Sequence, residues 1–331
     1  MHDIYKALRA LNPVHVGAPA QRERLETILA TQGPVTPRPR PRPQMRWAIA
    51  AVAAATAAAV VYTVVDPFGT ATQPALALTP PPLAYHPDSQ PASRVLEAIA
   101  DRVEKLPDER PSPWKTEHFV WDSWSLSTRI DGVQVTSAVI PEHRETWQKP
   151  DESTRWKART LAPVFQNETQ RDAWEETGAV GRTPQQFTGS SGPTSQRSAT
   201  EPPTTVDGMR EWLADGRTRL TAGLLYEVVP ERAQEHVFSP GQRAALLRVL
   251  AEAQGVEYEG AVTDRADRAG EAFSLSEQSG GLPSKRTLIF DPQTGTLLAD
   301  EEQILDDPGA LNVKPNSVTG YMTFLTAERL S

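Results

Sequence analysis

The stretch EHFVWDSWSLSTRIDGVQVTSAVI, Glu117–Ile140, decides the fold. Two runs rich in β-branched and aromatic residues flank Asp131-Gly132, a pair favoured in a tight type I′ hairpin. A second hairpin is predicted over Glu145–Leu161, turning at Lys149-Pro150-Asp151-Glu152-Ser153. Side chains alternate along a strand, so its second arm puts Arg155, Lys157 and Arg159 on one face and Trp156 and Ala158 on the other. Such a row of cations reads first as a solvated sheet face and second as a docking stripe for an anionic partner.

Working outward, the pattern changes from period two to helical spacing. Pro91–Leu106 places Val95, Leu96, Ile99, Val103 and Leu106 on one side of an amphipathic helix. Further on, Thr205 or Asp207 can cap a short helix through Leu213, and Arg219–Val229 continues with Leu220, Leu224, Leu225 and Val228 on one stripe. The clearest helix begins at Ser239-Pro240-Gly241-Gln242, which supplies an N-cap, a proline at the first helical position and a capping-box glutamine. Leu246, Val249, Leu250 and Ala253 form its apolar stripe, and Gly255 ends it. Strands are then predicted at Val256–Thr263, Glu271–Ser276, Arg286–Phe290, Thr296–Glu301 and Val318–Thr326, with Asp291–Gly295 turning one into the next. The expected fold class is α+β: a meandering antiparallel sheet with a few packed helices.

The chain has 331 residues and no cysteine, which removes disulfides, thiolate metal sites and cysteine nucleophiles together. Its net charge of −8 is unevenly spread. Residues 1–46 hold eight basic and three acidic side chains, a net +5, and residues 66–331 carry a net −13. Between them Trp47–Val65 contains no ionisable side chain. Nineteen helical residues span about 28 Å, close to a bilayer's hydrocarbon core. Trp47 and Tyr62 lie near the two ends, and Arg38, Arg40, Arg42 and Arg46 crowd the N-terminal flank. The positive-inside rule then puts residues 1–46 in the cytoplasm and the large body outside the cell membrane.

This reading divides the chain into four parts. Residues 1–46 are a cytoplasmic tail whose Pro37–Pro43 alternates proline and arginine as an extended spacer, its arginines facing anionic lipid rather than nucleic acid. Residues 47–65 are a single transmembrane helix, and 66–92 a Pro/Ala/Thr linker. Residues 93–331 are an extracytoplasmic α+β domain with a polar, flexible excursion near 178–205. Ala75-Leu76-Ala77 has the small-x-small form of a signal-peptide cleavage site, but 46 residues precede the apolar run, which favours an uncleaved anchor.

Chemistry-bearing patterns are few. The six histidines show no HExxH or other metal spacing, although His118 and His143 could meet across strands. Gly189-Ser190-Ser191-Gly192 has the wrong spacing for a nucleophile elbow, and no phosphate-cradling or dinucleotide motif is present. Asp300-Glu301-Glu302 and Asp306-Asp307 read as charged strand ends or turns, without calcium-loop spacing. Asp264, Arg265, Asp267 and Arg268 read as a solvated mixed-charge turn. Trp114, Trp121, Trp124, Trp147, Trp156 and Trp174 crowd about 60 residues. They read chiefly as core and secondarily as a platform for glycans or apolar chains. No catalytic residue, cofactor-binding residue or metal ligand is assigned, and no enzyme activity is expected.

Leu8-Arg9-Ala10-Leu11-Asn12-Pro13, the basic alanine-rich span, residues 239–265 (SPGQRAALLRVLAEAQGVEYEGAVTDR) and 286–301 (RTLIFDPQTGTLLADE) resemble a family of actinobacterial single-pass membrane proteins. That family is often encoded beside extracytoplasmic-function sigma factors, and it has no established function. The second half is also similar to the half-barrels of periplasmic lipoprotein carriers. The layout of a folded body, one span and a short tail that could fold on binding leads to the expectation of a membrane-anchored sensor or regulatory protein, with the bilayer and a cytoplasmic sigma factor or regulator bound by residues 1–46 as partners. The alternative is a membrane-anchored module that binds an envelope lipid, glycan or cell-wall polymer.

Overall fold

The computed structural model describes residues 78–107, 116–131, 134–165, 167–176, 185–192, 201–279, 281–309, 311 and 313–330. The tail, the apolar run at 47–65, the Ala75–Ala77 site, Trp114 and Gly132 lie outside the described residues. Among the described residues no helix is long and apolar enough to cross a membrane.

The chain folds as α+β, with ten strands in one antiparallel sheet and five helices among the described residues. In chain order the elements are β1 (Tyr85–His86), α1 (Ala92–Val103), β2 (Thr116–Asp131), β3 (Gln134–Gln148), β4 (Thr154–Thr160) and α2 (Glu168–Glu176). There follow β5 (Gln185–Ser191), α3 (Val206–Ala214), α4 (Ala222–Ala233), α5 (Pro240–Ala251), β6 (Val256–Thr263) and β7 (Ala269–Ser279). The last strands are β8 (Leu282–Phe290), β9 (Leu297–Ile304) and β10 (Val318–Leu330). Across the sheet the order is β1-β6-β7-β8-β9-β10-β2-β3-β4-β5. Two meanders, β6–β10 and β2–β5, are therefore joined edge to edge where β10 pairs with β2.

The hairpin expected at Glu117–Ile140 forms, with β2 and β3 in register from Glu117↔Gln148 to Asp131↔Gln134. Asp131 pairs with Gln134 and so belongs to the strand rather than to the turn in which the Asp-Gly pair would place it. The second hairpin turns where expected. Asp151 Oδ1 accepts the backbone N–H of Ser153 at 3.0 Å and its hydroxyl at 2.6 Å, and Glu152 takes the left-handed backbone at φ 63°. These bonds to Ser153 hold the Asp151 carboxyl below its ordinary range.

One face of the sheet is covered by helices. The N-terminus of α5 carries the full capping box, Ser239 accepting from Gln242 N–H while Gln242 Oε1 accepts from Ser239 N–H at 2.7 Å. The apolar stripe expected on this helix widens in the structure. Ala244, Ala245, Leu246, Leu247, Val249 and Leu250 are all buried because α5 is flanked by α1 and α3. Thr205 caps α3, and Thr221 caps α4 by accepting Leu224 N–H at 3.2 Å, so the helix expected from Arg219 starts at Ala222. Leu96, Met209, Leu213, Tyr226 and Leu247 meet Phe273, Leu288 and Phe290 of the sheet in the main core.

Two expectations change. Residues 78–88, assigned to the linker, lie on the other face of the sheet. Leu83 and Tyr85 pack on Val262, Ala272, Ile289, Leu298 and Ala299, and Tyr85-His86 pair with Val262 and Ala261 as β1. Gly260 permits this: at φ +101° it bulges β6, and a side chain there would run into the His86 carbonyl. The polar excursion likewise contains a strand, since Gln185–Ser191 pairs along the whole of β4. Trp156 lies opposite Gly189, and a Cβ on that glycine would sit 2.5 Å from the indole ring. The glycine therefore acts as a seat for the tryptophan rather than as a sign of looseness.

Candidate functional site

Direct cross-strand partners share a face. The register runs Ile289↔Ala299, Ala299↔Thr323, Thr323↔Asp122, Asp122↔His143 and His143↔Arg159. The face bearing the 78–88 strap is thus continuous with the face bearing Arg159, and hence Arg155 and Lys157. These three residues are exposed while Ala158 is buried, as the alternation requires.

The tryptophans do not line one cavity. Trp121 packs with Phe119 and Val237 on the helix face, and Trp156 lies on that face beneath the Arg144 guanidinium, 5.1 Å from the ring. Trp124 stacks on Tyr321 on the strap face at 5.8 Å, and Trp174 is buried against Phe165. Trp147 is different. It is half-buried on the strap face, stacked on His118 at 5.2 Å, with the Arg155 guanidinium 4.6 Å and the Lys157 ammonium 5.0 Å from its ring centroid. Cations this close to an indole face are held by its quadrupole.

His118 and His143 lie on this face but do not meet, because the register sets His143 opposite Asp122, four positions along β2 from His118, and each has its own acidic partner. His118 is within 3.0 Å of both Glu145 and Glu328, and His143 is 2.6 Å from Asp122. Among the described residues no group of three or more histidines and carboxylates could hold a metal ion. The acidic residues near Trp147 are therefore engaged by histidine. No carboxylate among the described residues lies within ion-pair distance of Arg155, Lys157 or Arg159, in contrast to Arg144, Arg265, Arg268 and Arg329.

The turn at 264–268 is anchored by the buried Asp264, while Asp267 stays exposed as a solvated turn requires. Asp264 accepts Ala266 and Arg268 N–H, each at 2.9 Å, and pairs with the Arg268 side chain, which also donates to the carbonyls of Leu298 and Phe324. Buried carbonyls at the β9 and β10 irregularities need a donor, and Arg268 supplies it. Arg265 pairs with Glu301 at 2.5 Å, covers Tyr321 and donates to Pro81 O of the strap at 3.1 Å. Burial raises the Glu301 carboxyl above its ordinary range despite the opposing pull of Arg265. Tyr85, desolvated and close to Glu301, has its phenol pushed up to about 12.

Asp300-Glu301-Glu302 is mid-strand, so its members alternate faces. Asp300 turns to the helix side, 3.5 Å from the buried Arg286. Burial works against the Arg286 charge, but Asp300, Glu302, Glu227 and Glu277 overcome it and hold the guanidinium protonated. Tyr226 Oη beside this pair has no hydrogen-bond partner among the described residues, and its burial pushes the phenol well above the ordinary value. A cavity of about 60 Å³ lies near α4, α5, β8 and β10, lined by Val229, Phe238, Leu246, Phe290, Phe324 and Ala327. It has room for only a few water molecules, far below the volume of an ordinary ligand pocket.

Sequence reasoning singled out the cationic row but not its aromatic seat. The signal was available, since Trp147↔Arg155 follows from counting back across the turn. No family model and no curated protein sequence matches this chain.

Proposed function

We propose that this protein is a membrane-tethered extracytoplasmic sensor or regulator without catalytic activity, joined by the apolar run at 47–65 to a cytoplasmic tail that engages a sigma factor or similar regulator. One observation carries the reading. Residues 78–88, which follow the apolar run after residues 66–77, enter the sheet as β1, cover an apolar patch and are latched by Arg265. A change in the sheet edge is thereby coupled to the segment between body and tail. The half-barrel form of the lipoprotein carriers belongs to the same reading, supported by the ten-stranded meander with helices on one face.

Crosslinking in membranes, comparing the full chain with one lacking residues 1–46, tests the proposal. The full chain should capture a cytoplasmic regulator that the shortened chain does not; identical captures would sink the cytoplasmic coupling. The second reading, an envelope binding module, draws support from the apolar cavity alone. At its observed size a lipid or polymer would have to part α4 and α5 from the sheet. Native mass spectrometry of detergent-extracted protein would reveal a co-purifying ligand if that reading holds.

A further inference from the structure

We propose that the face formed by Trp147, Arg155, Lys157 and Arg159 docks onto the anionic phospholipid headgroups of the membrane that tethers the chain. The proposal rests on the tethering reading above and names the partner of this surface.

Three observations point to it. The body carries net −13, yet here three consecutive outward positions of β4 are cationic, exposed and free of carboxylate partners among the described residues. An acidic domain attracts no anionic surface as a whole, so attraction has to come from a local patch of this kind. Trp147 stands among these cations with its ring partly open. An amphipathic indole flanked by arginine and lysine is the composition favoured at the headgroup level of a bilayer, where each cation contributes about 1 kcal/mol. The patch also shares a face with the strap, whose first described residue, Leu78, follows the apolar run by only 12 residues, 66–77. Fully extended they reach roughly 43 Å, so the tether keeps this sheet within one domain's width of the membrane. Glu145, Glu328 and Asp122 share this face but lie one or more strands inward, hydrogen-bonded to His118 and His143, so the positive charge is confined to the β4 row.

The test uses the full chain reconstituted into vesicles containing brominated phosphatidylglycerol, and into vesicles of brominated phosphatidylcholine alone. The readout is the part of the tryptophan quenching that disappears in Trp147→Phe. In anionic vesicles this part should be present, and it should fall away in zwitterionic vesicles, at high salt, and in the triple variant Arg155→Ala/Lys157→Ala/Arg159→Ala. Removing three charges should shift the docked-to-free ratio roughly a hundredfold. Salt dependence of the unmodified chain keeps the test valid should the triple variant fold poorly. Equal Trp147-dependent quenching in both vesicle types, or none in either, overturns the proposal. So does protection of Trp147 by soluble polyphosphate with no quenching by lipid, which would assign the surface to a wall polymer. Alkaline extraction of the same vesicles reports separately on the tether: release of the chain would refute the membrane span whatever the quenching shows.

Discussion

Single residues on this sheet are fixed by what lies across from them. Gly189 is the clearest instance, since the Trp156 ring occupies the place of a side chain. Gly189→Val should destabilise the fold by about 1–3 kcal/mol, as overpacking does, and speed proteolysis near β5. In a Trp156→Ala background the same substitution should cost far less, a coupling that a double-mutant cycle in urea would read. Tyr85 makes a sharper case. Its raised phenol means that the fold prefers the neutral ring, so its contribution is complete below the ordinary value near 10 and is lost as pH rises from there to about 12. Burial raises the phenols of Tyr226, Tyr258 and Tyr321 as well, so Tyr85→Phe should leave one fewer late-ionising tyrosine in phenolate absorbance and lessen the alkaline loss of stability. Glu301 follows the same sign at lower pH. Its raised carboxyl contributes stability below its ordinary range that is lost as pH rises past it, so Glu301→Gln should flatten the acid side of the pH–melting curve.

At the scale of elements, caps and covers decide how firmly each piece is held. Removing the Ser239 hydroxyl takes away one half of the capping box at the start of the most enclosed helix, and Ser239→Ala should cost about 1 kcal/mol in denaturant unfolding. The strap behaves differently, because its value lies in what it hides. Leu83→Asp should lift residues 78–88 from Val262, Ile289 and Leu298, increasing dye binding to the exposed apolar patch and opening the strap to protease. A strap that stays protease-resistant with this substitution would mean that β1 pairing and the Arg265 latch suffice without apolar cover.

Across the whole molecule the helix layer is unevenly spread. The largest core unites α1, α3, α4 and α5 with β6–β10, whereas β4 and β5 keep exposed residues along their length and β5 forms the sheet edge. Hydrogen exchange should therefore begin at β5 and β4 and come last in β7 and β8, where Phe273, Leu288 and Ile289 are almost wholly buried. Slow exchange of β5 in the isolated protein would show that something covers that edge.

The sequence by itself determined the local pieces: the Glu117–Ile140 hairpin, the capped helix at Ser239, the strand spacing after Val256, and the alternation that puts Arg155, Lys157 and Arg159 on one side. Each depends on interactions between residues a few positions apart, so periodicity and turn chemistry suffice. Tertiary structure decided which strands became neighbours. Nothing within β10 announces that it pairs with β2, far earlier in the chain, or that Gly189 faces Trp156 across the outermost strand pair, with α2 intervening in sequence. Nor could composition show that Arg268, held by Asp264, serves the carbonyls of Leu298 and Phe324, since that depends on bulges in two other strands. Long-range pairing brings the strap and the cationic row onto one face of the sheet.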